Sequence, residues 1–479
     1  MLLALREFAD KALAIALGLF LLLALFRGGN TETAILFALA GAALVLAPTV
    51  LLAVTAGSDA PSQESPAMFF TGALLMLLAV GALGLLPVST ATWLSLPGRE
   101  IYRSVLTALA QPEFDVHSLP LSIDATSTRR ALLALAPCIA ISIAVPLLTR
   151  RSLLRLLGAF SLLVAAEALL GLFQLGFRGA SLFVLEYAGH NRASGTFVNK
   201  NHYANLLSMS LPLLIFRAAG QFSFFSSGEP GALSNAWWGV VTAFVAAALV
   251  ASLSRAGVLA GGIAAALAIA ACPVRQHLHS RKVLFAALAM AALALGLALM
   301  TGLGPLLKSV TQGGLSDGAS SRSLMNAHTW TGIAAFFPVG AGLGSYAVAF
   351  QRFQTPSLLG FVEYAHNDYL QLLFETGLAG VVILALLAMA AVSVGRNLWR
   401  SYDAEAPRSP ALACYLGALA FAIHACFDFP AHIPAIAIIA TLLFSASMNV
   451  SLAEKAQRRQ IDDTLTRRRV VRHSRRQYG

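Results

Sequence analysis

Tyr364-Ala-His366-Asn367-Asp368-Tyr369-Leu-Gln371-Leu-Leu-Phe-Glu375-Thr-Gly377-Leu-Ala-Gly380 decides how the rest of the chain is read. The stretch begins polar and runs straight into an apolar segment that reaches Val394. A histidine, an amide and a carboxylate therefore stand where a water-filled space meets a bilayer. Imidazole titrates near neutral pH, so His366 can take a proton from a hydroxyl and return it. Asn367 and Asp368 have the chemistry of a helix N-cap and a first-turn residue. The plainest alternative is that all three polar side chains only cap a membrane helix.

Composition places that stretch in context. Of 479 residues, 58% are hydrophobic and only 11% charged, whereas an average soluble domain carries about 25% charged residues. Mean hydropathy is +0.74. The fold class expected is an all-α, polytopic integral membrane protein. Net charge is +11, but the basic residues gather in short clusters between apolar runs and in the tail. Such clusters act as orientation signals facing anionic lipid, and no nucleic-acid-binding motif accompanies them. The four cysteines, Cys138, Cys272, Cys414 and Cys426, form no CxxC pair, so neither a disulfide framework nor a zinc site is supported. The first apolar run, Leu13 to Phe26, has basic flanks like a signal peptide but no small-x-small cleavage site, and reads as a first helix.

A spanning helix needs about 20 apolar residues. Spans are expected near 8–26, 34–56, 67–87, 131–148, 153–175, 203–218, 236–253, 256–273, 283–303, 367–394, 410–427 and 431–449, which makes twelve. The chain then divides into N-terminal helices over 1–175, central helices with external motif loops over 176–303, a long, partly helical external loop over 304–366, C-terminal helices over 367–449 and a basic tail over 450–479. With twelve spans, Arg6 and Lys11, the Arg150–Arg155 cluster, Arg275, Arg281 and Lys282, Arg396 and Arg400, and the basic tail all fall on one side. The positive-inside rule makes that side, with both termini, cytoplasmic. Gly340-Ala-Gly342-Leu-Gly344-Ser-Tyr346 looks like a nucleotide loop, but without a preceding strand it reads as a turn.

Four polar groups then face the other side. Asn191-Arg192-Ala-Ser-Gly195-Thr-Phe-Val-Asn199-Lys200-Asn201-His202 packs amides, cations and a histidine around one glycine turn. Ser252-Leu-Ser254-Arg255-Ala-Gly257 is a hairpin between apolar runs. An arginine at membrane depth costs about 2.5–3.5 kcal/mol on insertion scales, so it usually has a partner. The third group is Arg322 between Ser321 and Ser323, with Asn326, His328 and Trp330; the fourth is Asp428-Phe-Pro430-Ala-His432-Ile-Pro434. Each alone has a structural reading: satisfied histidines, a snorkelling arginine, rim charges. Their joint placement on one side suits an anionic, lipid-linked substrate, because guanidinium pairs well with phosphate oxygens.

These motifs together, with His366-Asn367-Asp368-Tyr-Leu-Gln-Leu-Leu-Phe-Glu-Thr-Gly-Leu-Ala-Gly, resemble the O-antigen ligase and polymerase family over about residues 190–435. The resemblance implies a metal-independent glycosyltransferase without cofactor. Its donor would be an undecaprenyl-diphosphate-linked glycan. Its acceptor would be the lipid A core or another carrier-linked repeat, and its setting the bacterial inner membrane with a periplasmic site. Position by position, the resemblance implies that His366 is catalytic and that Arg255 and Arg322 hold the diphosphate. Arg192, Asn199, Lys200, Asn201, His202, Asn367, Asp368, Asp428 and His432 are expected to contact diphosphate or glycan. The competing class is a transporter or flippase, which would place ionisable residues near mid-membrane. Glu167 is the clearest such residue here.

Overall fold

The computed structural model describes residues 2–25, 32–56, 65–109, 117–176, 192–226, 230–272, 314–358, 360–400 and 410–449. The expected span at 283–303, the basic residues Arg275, Arg281 and Lys282, and the tail lie outside these residues. The chain is mostly helical. In order it forms α1 (Leu2–Ala24), α2 (Glu32–Ala56), α3 (Ser65–Gly84), β1 (Pro87–Ser89), α4 (Thr90–Ser95), α5 (Tyr102–Leu109), β2 (Ser118–Pro120), α6 (Ala125–Ala144) and α7 (Arg150–Gly176). It continues with α8 (Lys200–Ala218), α9 (Ala232–Ala251), α10 (Arg255–Ala271), α11 (Gly314–Phe336), α12 (Tyr346–Ala349), α13 (Asp368–Thr376), α14 (Leu378–Arg400) and α15 (Pro410–His424). The last is α16 (Pro434–Asn449).

Among the described residues six helices are long and apolar enough to cross a membrane, α2, α3, α6, α7, α9 and α14, and α10, α15 and α16 are shorter apolar helices. The count of twelve is therefore not reached among them. α1 carries Glu7, Asp10 and Lys11 in its first half, and α8 carries Lys200, Asn201, His202, Asn205, Ser208 and Ser210. The segment 88–130 lies between the expected spans at 67–87 and 131–148. It holds α4, α5 and a two-stranded antiparallel ladder, β1 with β2, pairing Val88 with Leu119.

Packing puts α8 at the centre. Every residue from His202 to Leu214 is buried, including the polar His202, Asn205, Ser208 and Ser210. A helix covered on all sides is one the bundle encloses; α9, α10 and α15 lie against it. On the outer helices Leu36, Leu46 and Val54 remain exposed, as lipid contact requires. At the far end of α16, Asn449 Nδ2 donates to the carbonyls of Val145, Pro146 and Leu148, tying the last helix to the α6–α7 turn. In that same turn Asp10 of α1 accepts from Thr149 N and from the hydroxyls of Thr149 and Ser152.

The apolar run expected as one span at 367–394 is two helices. α13 ends at Gly377, whose φ is 55°, and α14 starts at Leu378. The break is stitched to the turn that follows α11. Ala341 N donates to Phe374 O (3.0 Å), Gly342 N to Glu375 O (2.8 Å), and Leu378 N to Pro338 O (2.9 Å). The carbonyls that end α13 are thus satisfied by a distant turn rather than by a continuing helix.

Candidate active site

The start of α13 is fixed twice. Asn367 Oδ1 accepts from Tyr369 N and Leu370 N, each at 3.1 Å, the N-cap role its position suggested. Asp368 N donates to Ala425 O at 2.9 Å, docking α13 onto the end of α15. His366, immediately before, has φ 52°. Left-handed backbone is uncommon for any side chain except glycine, though histidine tolerates it better than most. Leu253, in the α9–α10 turn, shares the feature with φ 56°.

That conformation turns His366 toward the loop after α15. His366 Nδ1 lies 2.9 Å from Asp428 Oδ1. Asp428 is buried, whereas the His366 side chain is 27% exposed. A carboxylate on Nδ1 fixes the tautomer with the proton there and leaves the Nε2 lone pair as the basic site. Among the described residues no hydrogen bond engages Nε2. Burial works against the Asp428 charge, but the bond and charge of His366, with other histidines around it, hold its pKa well below the ordinary carboxylate value. The carboxylate therefore stays ionised. Phe429 packs in this corner: it stacks on Tyr364 (4.1 Å, 9°) and meets the rings of His366 and His202 edge-on, each with centroids 5.0 Å apart.

His432 has a different fate. Its Nδ1 is 2.8 Å from Asp368 Oδ1, and Asp368 Oδ2 accepts from Ala431 N at 2.9 Å. Gln371 Oε1 accepts from Ala365 N, so its amide nitrogen is the donor to His432 Nε2 (3.0 Å) and to Glu375 Oε1 (3.1 Å). Both His432 nitrogens are thereby used, and neither can take a proton from a substrate. Glu375 extends the network, accepting from Gly344 N (2.7 Å) and Tyr346 N (3.3 Å). The Gly340–Tyr346 segment is a turn, as expected. It braces the polar end of α13.

The cations come from separate elements. Lys200 begins α8, Asn199 caps it by accepting from Asn201 N (2.9 Å), and Lys200 Nζ donates to Leu253 O (2.9 Å). Burial, together with the charges of Arg192, Arg255 and Arg322, lowers Lys200 to about 8. Lys200 thus feels the charge of three arginines from other elements. The loop that carries Arg192 is held by α7. Thr196 N and Oγ1 donate to the two oxygens of Glu167 (3.0 and 2.8 Å), and Gln174 donates to Gly195 O (2.7 Å). Glu167, the mid-membrane acid singled out in the sequence, serves as a brace here.

Of the expected residues, the structure joins His366 to Asp428, Asp368 to His432, and Lys200 electrostatically to Arg192, Arg255 and Arg322. His202 is enclosed behind Phe429, and Asn199 and Asn367 act as helix caps. Sequence reading did not assign Tyr364, Gln371, Glu375 or Phe429 to the site. Their only sequence signal is nearness to motif residues. Among the described residues no three His, Cys, Asp or Glu side chains are disposed to hold a metal ion.

Fold and site define a multi-pass helical membrane protein with a histidine backed by a buried carboxylate, and with a lysine within electrostatic reach of three arginines. Residues 240–385 match the family described as O-antigen ligase, which supports assigning the chain to the O-antigen ligase and polymerase family. These are membrane glycan ligases and polymerases. The matched stretch contains Arg255, Arg322 and His366 and ends before Asp428. No curated protein matches the chain by sequence.

Proposed function

We propose that the protein is an inverting, metal-independent glycosyltransferase of the bacterial inner membrane. It moves a glycan from an undecaprenyl-diphosphate carrier to a sugar hydroxyl at the periplasmic face. The observation that supports this reading most is the His366–Asp428 pair, with His366 Nε2 unengaged and the ring partly exposed.

In this reading the acceptor O–H gives its proton to His366 Nε2 as its oxygen attacks the anomeric carbon. The bond from that carbon to the diphosphate oxygen breaks, and the diphosphate leaves. Asp428 stabilises the imidazolium that forms and keeps the ring in its tautomer. Arg255 and Arg322, with Arg192 and Lys200 beside them, offset the charge that develops on the leaving diphosphate. One displacement inverts the anomeric centre. The acceptor is the lipid A core or a second carrier-linked repeat. Both termini are cytoplasmic.

Reconstitution of the purified protein with an undecaprenyl-diphosphate-linked glycan and candidate acceptors tests this directly. Carrier release that depends on acceptor, with a product of inverted anomeric configuration, is expected. Passage of the intact donor across the bilayer without transfer, or a retained configuration, would overturn it.

A further inference from the structure

Asp428 has an oxygen that the catalytic pair does not use. Its Oδ1 meets His366 Nδ1 and also accepts from Phe429 N at 3.1 Å. Its Oδ2 is buried with no hydrogen-bond partner. Four residues earlier, at the end of α15, His424 is wholly enclosed, and both of its ring nitrogens also lack partners. These orphans face each other: His424 Nε2 stands 3.9 Å from Asp428 Oδ2. That is about 1 Å beyond a normal N–H···O distance. It is also too short for a water between them, since two hydrogen bonds in series span well over 4 Å. A buried donor and a buried acceptor left unmade are costly, and making one bond relieves both. The i, i+4 relation around the helix end brings the two side chains to the same face.

We propose that His424 Nε2–H donates to Asp428 Oδ2, so that His366, Asp428 and His424 form one chain in which His424 is the positioning residue for the catalytic pair. This rests on the reading of His366 as the base. A carboxylate held at one oxygen only can rotate about its terminal bond, and Oδ1 would then swing away from His366 Nδ1. Bonded at both oxygens, it has one orientation, and His366 Nε2 keeps its aim at the acceptor. His202 lies on the other side of Phe429 and also senses Asp428 and His424 electrostatically. It makes no bond to the carboxylate.

The test uses the full-length protein in the reconstituted transfer assay. His424→Leu fills the space without a donor, and His424→Gln returns an N–H at similar reach. Misplaced reacting groups cost about 10- to 100-fold, so His424→Leu should lower kcat by that much with KM for donor and acceptor unchanged. His424→Gln should recover most of it. In an Asp428→Asn background, His424→Leu should add little. Nitrogen-15 NMR of the wild-type protein reads the same bond without substitution: the expected tautomer of His424 carries its proton on Nε2. His424→Leu at the wild-type rate while His366→Ala and Asp428→Asn are impaired would overturn the proposal. So would an equal loss in the Asp428→Asn background, or an Nδ1–H tautomer. If His366→Ala and Asp428→Asn themselves run at the wild-type rate, the reading of the site falls first and this inference falls with it.

Discussion

His366 and Lys200 show how much a residue's role depends on what the fold sets beside it. His366 and His432 are both histidines in motifs that face the same corner, yet only His366 keeps a nitrogen for chemistry. The difference is Gln371, whose amide takes up His432 Nε2. Lys200 is held at about 8 by burial and by Arg192, Arg255 and Arg322, so it loses its proton in an accessible range. A lysine with a lowered pKa is charged below that value and neutral above it. If it helps to hold diphosphate, kcat/KM for the donor should fall as pH rises through about 8. Lys200→Arg, which stays charged, should remove that limb of the profile. A limb that persists in the arginine variant would assign it to another group. The sequence showed the chemistry of these residues, since His366, Arg255, Arg322 and Lys200 stand out as polar groups at the edges of apolar runs. It could not show that Asp428 is the partner of His366, because three helices, α13, α14 and α15, lie between them in the chain. His424 carried a signal in its spacing from Asp428, but on an apolar helix a lone histidine reads as core.

At the scale of elements, the polar corner depends on the break between α13 and α14. A run of apolar residues reads as one span because hydropathy is blind to backbone direction. Gly377 makes the break: its φ of 55° suits glycine, and a Cβ there would overlap the Pro338 carbonyl and lie 2.9 Å from Gly340 N. Gly340, with φ 85°, faces it, and a Cβ on Gly340 would overlap Glu375 O. Gly377→Ala should cost on the order of 1–3 kcal/mol in backbone strain alone. It should also loosen the turn that holds Glu375, Gln371 and His432. The measurable outcome is a lower thermal unfolding midpoint of the purified protein in detergent, together with reduced transfer. An unchanged midpoint would mean that the α13–α14 break is not held by this close approach. The expected turn at Gly340–Tyr346 was legible because three glycines in seven residues punctuate a chain. The β1–β2 ladder was not, since three-residue strands leave no periodicity to read.

For the whole molecule, composition alone was enough to read a helical membrane protein, because burying so many apolar residues in lipid is the only economical use of them. The number of spans was harder. Hydropathy counts apolar length, whereas α8 is buried by neighbours rather than by lipid and can carry His202, Asn205, Ser208 and Ser210 in its core-facing surface. That central helix carries both Lys200, within electrostatic reach of Arg192, Arg255 and Arg322, and His202, whose ring meets Phe429 of the α15–α16 loop beside His366. In the proposed mechanism, transfer therefore depends on the assembled bundle. The central claim is that this corner activates a hydroxyl through His366. The most direct measurement is the rate of glycan transfer by purified, correctly folded His366→Ala and His366→Gln in the reconstituted system. General-base assistance is worth about 10²–10⁴-fold, so both variants should lose about that much in kcat while remaining folded and still binding donor. Near-wild-type rates in both would contradict the assignment of His366 as the base.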